Sequence, residues 1–532
     1  MQMLSLGLAA LGVAVRLPWQ APIAPMPAAV SRAAARMTTT VRDASDVAGG
    51  QMRPKPSIEW AQLRARLEIE FKIPDSKLKA YDDLDSEDLL KAYEMMSLCR
   101  QFENACNQAD MQGSIRGFMH LDNGQETIPA LIADTIRKGD KKVSYYREHT
   151  HALASGVDAG AIMAELFAKD TGTCRGTGGS MHIYDKETNF QGGWALVCEQ
   201  LPYAAGAARS ILLDRKRDPD AFKDDDRVAV VFVGEGGAQN GRMAETLNAA
   251  AKEKLPLLFL VIDNGRAINT FTPDVAANNN VYAQGLHYGV PGIKVDGTDV
   301  QDTLRTARAV VDYVRTEGPA ILQVHTYRFQ GHSPADPEHE RGRKEEKRWA
   351  RAEADPIKIF EASDAAKGLD LDAAAKRAKE VVKASLEFAR ASEPPPRELA
   401  KELEFPDAPA TDYNTREPPA GALSTTKATV DPGALAACEA YVAELQKEAR
   451  EGTISIADAV NLAVLEEMIR DPTTVMHAED LQAGSSYNIP KLTQQTFGTL
   501  RAADEIIDEG HFLGKAIGEV RRDAAEMRVR GG

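Results

Sequence analysis

Cysteine is scarce in this chain, and none of it is arranged for chemistry. Five positions carry it (Cys99, Cys106, Cys174, Cys198, Cys438), with no Cys-x-x-Cys pair and no metal-ligand spacing. The odd number argues against a disulfide framework and for a reducing compartment. Long apolar runs are also missing. The best, residues 3–15, is too short to cross a bilayer as a helix, so no membrane partner is expected. A basic surplus is absent: 79 acidic against 64 basic side chains give a formal net charge of −15. That balance leaves no electrostatic footprint for nucleic acid. Within the first 42 positions it is the acids and lysine that are lacking, while Arg16, Arg32, Arg36 and Arg42 are spread among Ala, Ser, Thr and Pro. This composition reads as a targeting leader. An apolar start before an Arg- and Ala-rich stretch fits a two-part plastid address, with a mitochondrial presequence as the alternative. No internal repeat is found.

What is present points to an α/β fold. At 532 residues, two or more structured units are expected. The texture divides into a leader (1–55), a main domain (56–390), a Pro-rich linker (391–430) and a helical, partly αβ extension (431–532). Spaced apolar positions from 56 to 110 have helical periodicity, with Leu89, Leu90, Tyr93 and Met96 sharing one face. Residues 228–233 form a continuous apolar, β-branched run, typical of a strand buried on both faces. Gly234-Glu235-Gly236 follows, then helix formers over 238–254 and a second apolar run, 257–262, ending at Asp263-Asn264-Gly265. A third strand is expected over 319–327. Strand, Gly turn, helix, strand is a βαβ unit, so a parallel sheet covered by helices is expected.

Ligands of open parallel sheets sit at the carboxyl ends of the strands. Here two strand ends carry oxygen donors, Glu235 and, 29 positions later, Asn264. Glycines on both sides of Glu235 let the backbone approach a phosphate, and the helix start that follows favours negative charge. A carboxylate, an amide oxygen, a carbonyl and diphosphate oxygens would make the hard oxygen shell that Mg²⁺ requires. A Gly-x-Gly turn after a strand is common in itself. A dinucleotide fingerprint is ruled out, because residues 234–239 (GEGGAQ) lack the last glycine.

The stretch 230–270, VVFVGEGGAQNGRMAETLNAAAKEKLPLLFLVIDNGRAINT, resembles the thiamine diphosphate motif of pyruvate dehydrogenase E1 α subunits. In the family's order come GFMHLDNGQE (117–126), YREHTHAL (146–153), CRGTGGSMHIYD (174–185) and TYRFQGHSPADP (326–337). The resemblance, over about 86–360, implies a thiamine diphosphate-binding fold and oxidative decarboxylation of pyruvate, with acetyl transfer to the lipoyl domain of a dihydrolipoyl acyltransferase. It also implies an E1 β subunit as partner in an α2β2 heterotetramer. By position, Glu235, Asn264 and the carbonyl of Arg266 would bind Mg²⁺. Tyr146, Arg147, Gly236 and Gly237 would hold the diphosphate, and Val197 would meet the aminopyrimidine ring. His332 would sit on a loop over the cofactor, with His149 and His120 towards the substrate. Each has a bland alternative: Tyr146-Arg147 as an ion-pairing turn, and His151, His182 and His325 as structural histidines. The chain departs from the motif at Glu235 (for Asp), Asp263 (for the first Asn of a pair), Gly265 and Arg266 (for an aromatic). Ser333 matches a position that mitochondrial relatives phosphorylate, and Glu340 occupies a second one.

The segment 454–518 resembles the beginning of the β subunit of the same enzyme, through ISIADAVNLAVLEEMIRDPTTVMHAEDL and AGSSYNIPKLTQQTFGTLRAADEIIDEGHFLGKAIG. Glu509 matches the glutamate that hydrogen-bonds the aminopyrimidine; its bland reading is a surface carboxylate at a helix start. Most of a β subunit is absent, so the chain reads as a partial α–β fusion or a truncated one. Two other functions remain open: an α subunit for branched-chain 2-oxo acids or acetoin, and a catalytically weakened α-like scaffold.

Overall fold

A computed structural model describes residues 59–115, 117–268, 270–333, 343–400, 422–479, 481, 491–505, 511 and 513–517. The expected leader, Glu340, Glu509 and the middle of the expected linker lie outside the described residues.

The apolar runs become neighbouring strands of one sheet. Its members are β1 (Lys141–Val143), β2 (Ala229–Gly234), β3 (Leu257–Asp263), β4 (Gly292–Asp296) and β5 (Ala320–His325). They lie in the order β1-β2-β3-β5-β4, every pair parallel. Side chains alternate across a strand, so each run feeds two cores. Val230, Phe232, Leu258, Leu260 and Ile262 enter one. Val231, Val233, Leu257, Phe259 and Val261 enter the other. This is why β2 and β3 read as unbroken apolar sequence rather than as alternation.

The accompanying helices are α1 (Ser86–Met111), α2 (Thr127–Thr135), α3 (His149–Ala154), α4 (Ala159–Leu166), α5 (Gln200–Arg217), α6 (Gly241–Glu253), α7 (Val300–Thr316) and α8 (Leu371–Ala391). Leu89, Tyr93 and Met96 of α1 pack with Leu131 of α2 and Leu304 and Val311 of α7 on the first face. Leu201 and Ala204 of α5 pack with Met243 and Leu247 of α6 on the second. A third core joins Phe102 of α1, Ile162 of α4 and Val382 of α8. Caps set where helices begin near the site: the Asn240 side chain accepts from the Arg242 N–H at the start of α6. Such a cap contributes about 1 kcal/mol.

The C-terminal part has its own small core of Leu435, Cys438, Leu465, Met468 and Phe497. It is built from α9 (Pro432–Glu451), α10 (Ile456–Arg470), α11 (Thr493–Arg501) and a parallel pair, β6 (Met476–Glu479) with β7 (Ala502–Glu505). The expected linker is partly helical, at Ala422–Thr429. Its start is tied down, since Asp170 donates its N–H to the Glu393 carbonyl. Among the described residues no helix is long and apolar enough to cross a membrane.

Candidate functional site

Gly234 lies opposite Ile262, so the residues that follow β2 and β3 emerge side by side. The Asn264 N–H donates to Glu235 Oε2 at 3.3 Å, and the Thr272 hydroxyl donates to Oε1 at 3.3 Å. Both bonds are long, while Glu235 is only 2% exposed. Burial, reinforced by the Asp263 charge, pushes its pKa well above the usual carboxylate range. A buried carboxylate so weakly satisfied fits a cation, whose charge would restore the ionised form. Asn264 is oriented by its neighbours: Oδ1 accepts from the Arg266 N–H at 3.2 Å, and Nδ2 donates to Gln125 Oε1 at 3.0 Å. Gln125 also accepts from the Thr326 hydroxyl at 3.2 Å and donates to Asp122.

The departures from the motif have physical consequences here. Asp263 accepts from Lys294 and from Gln323, each at 2.7 Å, with His325 3.6 Å away. Burial opposes ionisation, but His325 and Lys294 outweigh it and hold the carboxyl below the usual range. Asp263 is therefore engaged by β4 and β5. The Arg266 guanidinium pairs with Glu346 at 3.1 Å, and Tyr327 donates to the same carboxylate at 2.8 Å.

The glycine turn is pressed by two other segments. A Cβ at Gly236 would collide with Ala267, and one at Gly237 would stand 3.0 Å from Cys198 Sγ and 3.4 Å from Val197 Cγ1. Cys198 donates to the Gly237 carbonyl at 2.9 Å. Val197 lies beside the turn with 57% of its surface exposed.

On the far side, Arg147 is 1% exposed and donates to two carbonyls, that of Leu121 and, at 3.1 Å, that of His332. Its hydrogen bonds go to carbonyls only, and the acid that feels its charge, Asp122, is pushed towards the neutral form by burial. A buried guanidinium without a counter-charge suits a diphosphate. Tyr146, His120 and His332 form a ring cluster, with centroids 4.6 Å (His120–Tyr146), 4.9 Å (His120–His332) and 5.6 Å (Tyr146–His332) apart. Burial, then the Arg147 charge, pushes the His120 pKa down to about 2, so its ring is neutral, and Nδ1 has no partner among the described residues.

His149 lies at the start of α3. It is fully buried, with Nδ1 2.9 Å from Glu103 and Nε2 2.8 Å from the Ser180 hydroxyl. Both ring nitrogens are engaged, so it ties α3 to α1 and to the 174–182 loop. His151 stacks on Phe232 and pairs with Ser144 at 2.9 Å, and His182 Nδ1 lies 3.2 Å from the Gly193 carbonyl. His325 is a strand-end histidine, half-buried beside Asp263.

Three residues near the site were not singled out in the sequence. Gln125 stood inside a quoted motif, where its amide was the signal. Thr272 carries no signal. Glu165, fully buried on α4, accepts four backbone N–H bonds: Cys174 (2.7 Å) and Gly176 (2.9 Å) on Oε2, Gly178 (2.7 Å) and Gly179 (3.0 Å) on Oε1. It clamps the glycine-rich loop whose Ser180 holds His149.

Comparison with known proteins follows the same residues. A family described as "Dehydrogenase E1 component" matches residues 93–397. The pyruvate dehydrogenase E1 component subunit alpha-3, chloroplastic, of Arabidopsis thaliana is 40% identical over 329 residues, 61% of this chain and 76% of that protein. Its namesake in Oryza sativa subsp. japonica is 38% identical over 333 residues, 62% of this chain and 78% of that protein. The pyruvate dehydrogenase E1 component subunit alpha of Rhizobium meliloti is 35% identical over 319 residues, covering 59% and 88%.

Proposed function

The chain belongs to the dehydrogenase E1 component family, and on that premise we propose the working assignment of its site. The protein is the α subunit of a pyruvate dehydrogenase (acetyl-transferring) E1 component and uses thiamine diphosphate. The observation that carries the site assignment is the meeting of Glu235 and Asn264 at adjacent strand ends.

When bound, the cofactor supplies the nucleophilic carbon that attacks the keto group and holds the electrons as carbon dioxide leaves. The chain's own residues do the rest. Glu235, Asn264 and the Arg266 carbonyl hold Mg²⁺, with Thr272 steadying the carboxylate. Arg147 and the amides of Gly236 and Gly237 take the diphosphate, with Tyr146 beside them. Val197 supports the aminopyrimidine end. His120, held neutral and with an unused Nδ1, offers a hydrogen bond on the substrate side, with His332 beside it. His149 is a positioning residue in this reading. Glu509 is assigned to the aminopyrimidine on sequence resemblance alone.

The fitting partners are an E1 β chain, in an α2β2 assembly, and the lipoyl domain of a dihydrolipoyl acyltransferase. The chloroplastic relatives and the composition of the first 42 residues support the plastid stroma over the mitochondrial matrix. Decarboxylation of pyruvate against 2-oxoisovalerate, with a β chain supplied, tests the substrate. A preference for the branched acid would overturn the pyruvate assignment.

A further inference from the structure

We propose that two described C-terminal pieces, 491–505 and 513–517, act as a latch: through Thr499, Leu500, Gly514 and Lys515 they dock on α5 and α6 and hold residues 194–198 against the diphosphate turn. The docking is specified by buried charge. Arg209, on α5 and fully buried, donates Nε to Glu253 Oε2 at 2.8 Å. Its other amino groups reach the carbonyls of Thr499 (2.9 Å) and Leu500 at the end of α11, and His477 at 3.5 Å. Lys515, also fully buried, reaches the second oxygen of Glu253. One carboxylate of the main domain thus lies between a cation of that domain and a cation of the segment. The guanidinium meanwhile satisfies helix-end carbonyls that would otherwise be orphaned.

From this anchor a line of contacts runs to the site. A Cβ at Gly514 would stand 2.9 Å from Pro202 Cγ and 3.9 Å from the Tyr203 ring, so the segment's backbone lies directly on the first turn of α5. Tyr203 stacks on Trp194, with ring centroids 3.9 Å apart and planes inclined by 18°. Three residues beyond Trp194, Val197 and then Cys198 press on Gly237. Releasing the segment uncovers Pro202, the neighbour of Tyr203 in the first turn of α5, and the stacked Trp194 stretch loosens with that turn. The step from Gly237 to the cofactor rests on the proposed function. The docking and the loosening do not.

The test uses the full chain without cofactor, in two variants that leave residues 56–390 unchanged. Gly514→Val puts a branched side chain where Pro202 leaves no room, and Lys515→Gln removes one of the two cations on Glu253. Hydrogen–deuterium exchange is followed by mass spectrometry. Amide exchange in 491–505 and in 194–198 should both accelerate, by about tenfold, within the coupling seen along such contact networks, while β2 and β3 stay protected. Binding of thiamine diphosphate with Mg²⁺ should weaken by a similar factor. Release of 491–505 with unchanged exchange at 194–198 overturns the latch. Unchanged exchange in both segments in both variants overturns it as well. Coupled acceleration in the variants, together with a wild-type chain that fails to bind thiamine diphosphate, would sink the cofactor assignment and leave the latch standing.

Discussion

The backbone N–H of Asn264 points at Glu235 Oε2 from 3.3 Å away. Two strands that are adjacent in the sheet thereby bring an amide and an acid into one small space at their carboxyl ends. The same carboxylate is buried and poorly satisfied without a cation, so a metal there repairs a cost already present in the fold.

Substituting Arg147 separates binding from folding. Its guanidinium is buried with two carbonyl partners and no carboxylate. Arg147→Met is expected to weaken thiamine diphosphate binding by roughly 10–100-fold, the value of a charged hydrogen bond, with little change of stability in urea, because removing a buried unpaired charge offsets the two carbonyls left without a donor. Calorimetric titration and a denaturation curve check both halves. A stability loss with unchanged affinity would make Arg147 a structural residue.

Glu165 should behave in the opposite way. Glu165→Gln keeps the shape but turns an amino group towards two of the four N–H donors. Each buried N–H left unsatisfied costs about 1–3 kcal/mol, so stability should fall by roughly 2–4 kcal/mol, with faster amide exchange over 174–179. Glu165→Asp, which keeps the charge, should recover part of the loss. Equal damage from both variants would mean that packing, not the four hydrogen bonds, sets the effect.

The two histidines nearest in the motifs should part company. His120→Asn is expected to lower the decarboxylation rate by about 10²–10³-fold, the usual worth of one hydrogen bond to developing charge, with little change in stability. His149→Ala should destabilise the protein, because Glu103 and Ser180 both lose a buried partner. Rates and unfolding curves on the two variants check this. The reverse pattern would restore His149 to the substrate side.

Asp122 gives a pH signature. Burial pushes its pKa up to about 8 from an ordinary 3.8, against the Thr150 and Gln125 hydrogen bonds and the Arg147 charge. An acid whose folded pKa is raised contributes stability that is lost as pH rises from the unfolded value to the folded one. Relative to Asp122→Asn, the wild-type chain without cofactor should therefore lose stability between pH 4 and pH 8 and level off above. A flat difference across that range would show that Asp122 is ionised throughout.

The main sheet was legible because its strands are buried on both faces: 228–233 and 257–262 could be placed to within one residue of β2 and β3. The Glu235–Asn264 pair followed from those strand ends and the βαβ order between them. His149 was not legible, since its partners Glu103 and Ser180 lie 46 and 31 positions away and no periodicity connects them. Glu165 was hidden for the same reason, as its partners are backbone amides that any sequence would offer. The helix at Ala422–Thr429 was masked by the Pro-rich composition around it, although no proline lies within its own eight residues. Asp263 could be seen to differ from the motif, but its binding by Lys294 and Gln323 depends on β4 and β5 pairing beyond β3.

The most direct measurement titrates thiamine diphosphate with Mg²⁺ into the wild-type chain and into Asn264→Ala, with circular dichroism to confirm equal folding. Saturable binding that requires the metal in the wild type, and its disappearance in the variant, is the outcome predicted here. Wild-type affinity in Asn264→Ala, or binding indifferent to Mg²⁺, would contradict it.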